Sequence, residues 1–373
     1  MKAKKWLLIF SFLAFSLFVS VIFLVYTIDP YFHFHAPDTD KYYYTLDLDS
    51  ERYLNNGILR HFDYNAIITG TSMCENFRCS ELDELFGVSS VKVAFSGSSM
   101  KELSDNISFA LRKNPNLKVI LCSLDMNSML SSKNDMNYSN ELYPLYLYDD
   151  NPFNDIKYFF DKNSFLTRIV PMLYQRYEEN RTPGITSFDD YAFWQDGYSF
   201  GISNFQDIRF SEPAVKAAHL SEEDRASVLE NIRHNITALP EQYPDTEFYY
   251  FIPPYSILWW KDKYEDGTIL KYLEAEKIYI EEMLAHDNIK LFSFNSRIDL
   301  ITDLNYYRDR IHYGAWVNSA ILRWIHDGKY RLTPGNCQSY HDVETLFFMT
   351  FDYRSFADRP EHPNDDLAGA LLK

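Results

Sequence analysis

The longest uninterrupted apolar stretch of the chain lies at its beginning. Residues 6–28, WLLIFSFLAFSLFVSVIFLVYTI, contain no charge. At about 1.5 Å per residue, a helix of this length crosses the roughly 30 Å hydrocarbon core of a bilayer. Lysines but no acidic residue precede it, so the positive-inside rule predicts residues 1–5 in the cytoplasm and the rest outside. The alternative is a cleaved signal peptide, whose apolar region usually has only about 7–15 residues.

After this run, short apolar stretches alternate with amphipathic ones. Residues 29–50 have no hydrophobic period and are predicted to be a stalk that packs on the domain. Buried strands are predicted at residues 64–69, 88–95, 117–124, 246–252 and 289–294. Helical spacing of apolar residues predicts helices at residues 50–62, 75–86, 101–113, 221–242, 268–286 and 314–325. Such alternation is typical of an α/β fold with a parallel sheet covered on both faces.

The alternation is interrupted between residues 125 and 213. This stretch is rich in Asn, Asp, Ser and Tyr, and its pattern is helical only near residues 154–160 and 164–177. Structureless loops of this length are uncommon inside a compact domain. We therefore expect an insertion or lid within a domain that spans residues 51–373.

The amino-acid composition of the chain excludes several classes of protein. Hydrophobic residues make up 46% of the chain and charged residues 24%, which excludes a disordered chain. The net charge of −17 repels phosphate backbones, so no nucleic-acid partner is predicted. The cysteines are too few for a disulfide scaffold and form no CxxC pair, so buried free thiols are predicted. No metal or other cofactor is predicted either.

Small and polar residues follow the predicted strands, at the edge where open α/β sheets form their sites. Gly70 lets the chain turn, which is expected to set Ser72 at the N-terminus of the next helix, where the helix dipole favours a developing oxyanion. Asp309 and His312 lie three residues apart, so the carboxylate can hold Nδ1 while Nε2 takes the serine proton. This predicts a catalytic triad of Ser72, Asp309 and His312.

Other strand ends supply candidates for an oxyanion hole, predicted to consist of Ser72, Gly97 and Asn127. Gly97 would donate through its backbone N–H and Asn127 through its side-chain amide. Asp125 is an alternative to Asn127 in that place, although a carboxylate donates a hydrogen bond only when protonated.

Several short motifs resemble those of the SGNH/GDSL hydrolase superfamily. Gly70-Thr71-Ser72 is similar to its serine block, Gly97 to its glycine block and Asp309-x-x-His312 to its final block. The resemblance covers roughly residues 60–125 and 245–327. It implies a flavodoxin-like three-layer sandwich and acyl transfer through an acyl-serine intermediate.

The N-terminal anchor, the large insertion and the turn at residues 253–256 look most like the exported, bacterial branch of this superfamily. That branch includes proteins of teichoic acid D-alanylation and of surface-polysaccharide O-acetylation. The resemblance implies a cell-surface glycopolymer or acyl ester as substrate, and a membrane acyl-donor protein as partner. The sequence departs from the family at Thr71, where an acid is usual, and at residues 123–127, which read SLDMN.

Two hypotheses of different classes follow. The first is a membrane-anchored, extracytoplasmic serine esterase or O-acyltransferase that acts on a cell-surface glycopolymer. The second is a catalytically degenerate SGNH-fold envelope protein that binds glycan or a partner, and the departures at Thr71 and residues 123–127 motivate it.

Overall fold

The computed structural model describes residues 2–44, 50–138, 143–149, 151–175, 187–213, 215–355 and 371. The chain divides into two units: the first combines residues 1–62 with 139–187, and the second combines residues 63–138 with 188–373. Residues 45–49 of the predicted stalk lie outside the described residues, as do residues 139–142, 150, 176–186 and 214 of the predicted insertion.

The second unit is built on a parallel five-stranded sheet. The strands are β1 (Ala66–Gly70), β2 (Ser90–Ala94), β3 (Val119–Ser123), β4 (Glu247–Ile252) and β5 (Ile289–Ser293). They are arranged in the order β2-β1-β3-β4-β5, and every neighbouring pair is parallel. Every residue of β1, β2 and β3 is buried, as expected of strands covered on both faces. The predicted α/β class with a parallel sheet is confirmed.

Helices occupy most of the remaining regular structure in both units. In chain order they are α1 (Lys2–Ile28), α2 (Glu51–His61), α3 (Cys79–Phe86), α4 (Met100–Lys113), α5 (Ile156–Phe159), α6 (Lys162–Ser164), α7 (Val170–Gln175), α8 (Glu222–Ile232), α9 (Ala238–Gln242), α10 (Ile257–Glu265), α11 (Ile269–Met283), α12 (Ile298–Ile301), α13 (Ala315–His326) and α14 (Cys337–Thr350). One π-helical segment, Phe165–Ile169, joins α6 to α7, and another, Arg233–Thr237, joins α8 to α9.

Helix α1 is long and apolar enough to cross a membrane between Ala3 and Ile28. Its side chains are almost all exposed as far as residue 20, and only the last turns are covered by other parts of the first unit. An apolar helix that the protein itself does not bury needs another apolar environment. This agrees with the predicted single span.

The predicted helix at residues 75–86 begins later, at Cys79. The cause is Lys92, a fully buried lysine on β2 whose Nζ donates to the carbonyl oxygens of Glu75 (2.6 Å) and Phe77 (2.9 Å). These carbonyls would accept the first intrahelical hydrogen bonds if the helix began at residue 75. A tertiary contact thus keeps residues 75–78 out of the helix.

The described cysteines are all free thiols. Cys74, Cys79 and Cys122 are buried, and Cys337 is partly exposed. Burial raises the pKa of the Cys74 and Cys79 thiols to about 12. The prediction of free thiols is confirmed, and burial holds for three of the four.

Candidate active site

The candidate site begins where β1 ends. Gly70 has φ +139°, and a Cβ there would lie 2.7 Å from the sulfur of Cys74. Only glycine fits such a conformation beside so close a neighbour. The next residues form a short 3₁₀ turn, Ser72–Cys74, in which the Thr71 hydroxyl accepts a hydrogen bond from the Met73 N–H (3.4 Å). Ser72 therefore begins a single 3₁₀ turn, and the α-helix expected to follow it, α3, starts only at Cys79, seven residues later.

Three of the predicted residues form one continuous hydrogen-bonded chain. Ser72 Oγ lies 2.8 Å from Nε2 of His312. Nδ1 of the same ring lies 2.8 Å from Oδ2 and 3.0 Å from Oδ1 of Asp309. A carboxylate can only accept here, so Nδ1 carries a proton and donates it to Asp309. When the ring is neutral, Nε2 is its acceptor atom and takes a hydrogen bond from the Ser72 hydroxyl.

The Asp309 carboxylate is held in its ionised form. Partial burial favours the neutral acid, but the hydrogen bond and charge of His312 and the N–H groups of His312 and Ile311 outweigh it. Together they lower the pKa of Asp309 to about 2. The carboxylate is charged at neutral pH, and it can stabilise an imidazolium on His312.

A tight loop presents Asp309 and His312. Tyr307 and Tyr313 pair as an isolated antiparallel bridge, and the Arg308 N–H donates to the His312 carbonyl at 2.9 Å. The buried Tyr307 hydroxyl donates to the carbonyl of Pro254, just beyond β4, at 2.8 Å. The bridge closes the loop, and the Tyr307 hydroxyl ties it to the end of the sheet.

Two of the three predicted oxyanion-hole residues, Gly97 and Asn127, follow the strands that flank β1, and the third, Ser72, follows β1 itself. Gly97 lies beyond β2 in the left-handed region, with φ +62°, and Asn127 lies beyond β3. Within the part of the chain that the structure describes, the N–H groups of Ser72 and Gly97 have no acceptor. Asn127 Oδ1 accepts from Nε1 of Trp259 at 2.9 Å. Because an indole nitrogen only donates, this contact turns the Asn127 NH₂ group away and leaves it free to donate elsewhere.

Asp125 is fully engaged within the fold. Its carboxylate accepts from the Tyr255 hydroxyl (2.5 Å), the Thr71 hydroxyl (3.1 Å) and the Asn127 N–H (2.9 Å). Three donors leave it little capacity for a substrate, so the alternative in which Asp125 replaces Asn127 loses its physical basis. The hydrogen bond from Thr71 to Asp125 joins the ends of β1 and β3.

Trp194 also contacts this site, although no sequence pattern predicts it there. Its Nε1 donates to the Ser72 carbonyl at 3.3 Å, and its ring meets the His312 imidazole edge-on with centroids 5.4 Å apart. Arg308 lies over the Tyr198 ring at 3.5 Å and over the Trp194 ring at 5.0 Å. The only local signal was the aromatic richness of residues 188–200, which no spacing rule connects to Ser72 or His312.

A cavity of about 310 Å³ lies elsewhere in the second unit, at the end of β5 against α14. Its lining includes Asn295, Tyr340 and Glu344, and none of the triad residues. In the described residues there is no cluster of three or more His, Cys, Asp or Glu side chains that could hold a metal ion.

Comparison with known proteins adds little to this geometry. No family model matches the chain, and no curated protein matches it. A solved structure from Streptococcus pneumonia, provisionally described as a platelet activating factor, aligns with 79% of this chain and 92% of its own length. The aligned sequences are 14% identical and the TM-score is 0.38. A likeness at this level carries no argument about the fold or the function.

Proposed function

We propose that this chain is a membrane-anchored, extracytoplasmic serine acyl-ester hydrolase or O-acyltransferase. The observation that carries the proposal is the continuous hydrogen-bonded chain from Ser72 through His312 to Asp309, with heavy-atom distances of 2.8 Å at both links. Nucleophile, base and orienting carboxylate within hydrogen-bond reach are what acyl transfer through a serine requires.

The proposed reaction uses these atoms in order. Ser72 Oγ attacks the carbonyl carbon of an acyl ester while its proton passes to Nε2 of His312. Asp309 stabilises the imidazolium that forms. When the tetrahedral intermediate collapses, the leaving alcohol takes the proton from Nε2 and the acyl group stays on Ser72. Water then releases the acyl group in a hydrolase, or an acceptor hydroxyl takes it in a transferase, with His312 removing the proton of either.

The oxyanion of the intermediate needs donors that are not already engaged. We assign this role to the N–H groups of Ser72 and Gly97 and to the side-chain amide of Asn127. All three follow adjacent strands and are free to donate in the described chain. Preorganised donors of this kind lower the barrier because they need no reorganisation as the charge develops.

We also propose that the second unit is a three-layer sandwich and that it lies outside the cytoplasm. The strand order 2-1-3-4-5 is that of flavodoxin-like folds, which supports a three-layer sandwich of the SGNH type. The lysines before α1 support an orientation in which residues 29–373 lie outside the cytoplasm. In that setting a cell-surface glycopolymer is the proposed acceptor or ester substrate, and a membrane protein would deliver the acyl group.

The test is labelling of the full-length, detergent-solubilised protein with a fluorophosphonate probe. We expect one label, on Ser72 by peptide mass, because the phosphonyl group reacts only with an activated serine. Ser72→Ala and His312→Ala should abolish labelling, since the triad acts as a unit. His326→Ala is the matched control, because His326 is also next to an aspartate, Asp327 at 3.3 Å, but is exposed and outside the site.

Labelling at another residue, or equal labelling of the wild type and Ser72→Ala, would contradict the proposal. If the folded wild type takes no label, the second hypothesis leads, namely a catalytically degenerate envelope protein that binds glycan or a partner. Binding of the wild type and of Ser72→Ala to cell-wall polysaccharide would then be equal.

A further inference from the structure

An apolar surface unrelated to the candidate site lies on residues 153–175, in the first unit. Phe153, the most exposed of its large apolar side chains, is 88% exposed. The others are Ile156, Phe160, Leu166, Val170 and Tyr174, each at least 45% exposed. In the helical run that α6, the π segment and α7 form together, residues 166, 170 and 174 recur every fourth position and share one face.

Two ionisable side chains of the same stretch, Asp155 and Arg168, are covered by the protein. Asp155 Oδ1 lies 3.1 Å from Nε2 of His33, within hydrogen-bond distance, and both side chains are mostly buried. Arg168 is 5% exposed and lies over the ring of Tyr31 at 5.4 Å. Proteins in water bury apolar side chains and expose charged ones, whereas proteins in lipid turn their ionisable groups inward. Asp155 and Arg168 follow the second pattern, while the large apolar side chains around them are exposed.

A contact with α1 indicates how deep in the bilayer this surface would lie. The ring of Phe160 stacks on that of Phe18, with centroids 5.0 Å apart and planes 18° from parallel. Phe18 lies ten residues before Ile28, the last residue of α1, which corresponds to about 15 Å along the helix axis. If α1 spans a hydrocarbon core of about 30 Å, Phe160 lies well below the headgroups.

The exposed charges of the stretch have one sign. Among the described side chains of residues 153–175, only Lys157 and Lys162 are both charged and exposed, in a chain whose net charge is −17. Lysines bury their methylene stems in an apolar phase while the ammonium group reaches the interface. They also gain free energy near anionic headgroups.

We propose that residues 153–175 form a lipid-embedded surface beside the membrane helix. Their outward face, which includes Phe160, Leu166 and Val170, would contact the acyl chains of the leaflet that holds the C-terminal end of α1. Lys157 and Lys162 would extend their ammonium groups toward the anionic headgroups of that leaflet. The inference rests on the anchoring of α1 in the proposed function, and it adds a second, non-spanning attachment to the bilayer.

The test measures the surroundings of single nitroxide labels in the full-length protein. The protein carries Cys337→Ser to remove the partly exposed thiol and is reconstituted in vesicles of phosphatidylcholine and phosphatidylglycerol. The labelled positions are Leu166→Cys, Leu17→Cys on α1, and Leu346→Cys on α14 as the matched control, since all three leucines are more than half exposed. Collision rates with oxygen, which concentrates among acyl chains, and with a water-soluble nickel chelate are compared by electron paramagnetic resonance.

We expect the oxygen-to-nickel collision ratio at position 166 to match that at 17 and to exceed that at 346 several-fold. If the collision ratio at position 166 equals that at position 346 while position 17 has the high ratio of a lipid-exposed site, the proposal is wrong but the membrane span of α1 is supported. If the ratio at position 17 also equals that at position 346, α1 does not span the bilayer, and the proposal is wrong as well. Low collision rates of both reagents at 166 would show a protein cover, from a second copy or a partner, and would overturn the lipid contact.

Discussion

At the scale of single residues, the candidate site depends on which hydrogen-bonding groups are already engaged. The Trp259 indole holds Asn127 Oδ1, and three donors hold the Asp125 carboxylate. The first contact leaves an amide free to donate, and the second shows the Asp125 carboxylate as an acceptor, which cannot donate to an oxyanion. Both effects favour Asn127 over Asp125 as the third donor of the proposed oxyanion hole.

We predict that Asn127→Ala lowers the rate of Ser72 acylation by about 10²–10³, the usual cost of one oxyanion-hole donor. The measurement is the burst of p-nitrophenol from p-nitrophenyl acetate with the full-length protein. Asn116→Ala is the control, because Asn116 is exposed and its side chain makes no hydrogen bond in the described chain. An acylation rate in Asn127→Ala equal to that of the wild type would remove Asn127 from the oxyanion hole.

At the scale of secondary-structure elements, a helix begins where its capping residues predict unless a buried side chain binds the backbone of its first turn. The Ser221 hydroxyl accepts from the Asp224 N–H at 3.0 Å, and the Asp224 carboxylate accepts from the Ser221 N–H at 3.3 Å. This reciprocal capping box starts α8 one residue after the predicted helix start. By contrast, Lys92 delays the start of α3, because its ammonium group takes the carbonyls that the first turn would use.

We predict that Ser221→Ala lowers the free energy of unfolding by about 1 kcal/mol, the typical cost of a lost N-cap. Ser227→Ala, in the interior of the same helix, is the matched control and should be neutral or slightly stabilising, since alanine is the better helix former there. Chemical denaturation followed by circular dichroism would measure both. Equal destabilisation by the two substitutions would show that the cap contributes nothing specific.

At the scale of the whole molecule, a buried acidic pair links separate parts of the second unit. Glu276 on α11 and Glu344 on α14 both lie within hydrogen-bond distance of the Tyr340 hydroxyl, at 2.7 and 2.9 Å, and that hydroxyl also lies 2.7 Å from Ser293 Oγ on β5. Burial raises the pKa of both carboxyl groups, and their mutual repulsion raises that of Glu344 further. The pair therefore keeps a proton that an unfolded chain would release.

This pair predicts a pH dependence of stability. A carboxyl group whose folded pKa is raised contributes fully at pH values below its unfolded pKa, and that contribution is lost as the pH rises through the folded value. The loss is about 1.4 kcal/mol per unit of raised pKa. We therefore expect Glu344→Gln to melt at a higher temperature than the wild type at pH 8, and the difference to shrink at pH 5.

Thermal denaturation of the full-length protein at both pH values checks this expectation. Glu281→Gln, at an exposed position of α11, is the control and should show no such pH-dependent difference. A difference between Glu344→Gln and the wild type that is the same at pH 5 and pH 8 would argue against a shared proton in the pair.

Local periodicity accounts for the elements that the sequence predicted and for those it missed. The predicted strands match β1–β5 to within two residues at either end, because short apolar runs between turn residues carry their own signal. Helix α10 is not predicted, since its first four residues, Ile257–Trp260, are apolar and all buried and therefore show no amphipathic pattern. Helix α14 was missed for the opposite reason, because only Glu344 and Phe348 in it are buried.

Local sequence patterns are sufficient to predict the apolar N-terminal span, the α/β alternation and the position of Ser72, Asp309 and His312 after predicted strands. These features depend on neighbours within a few residues along the chain. The tertiary structure alone decided that Ser72 meets His312 across 240 residues, that Trp194 contacts both, and that Asp125 is turned into the fold. Such contacts depend on how the strands order themselves in the sheet, and no local period encodes that order.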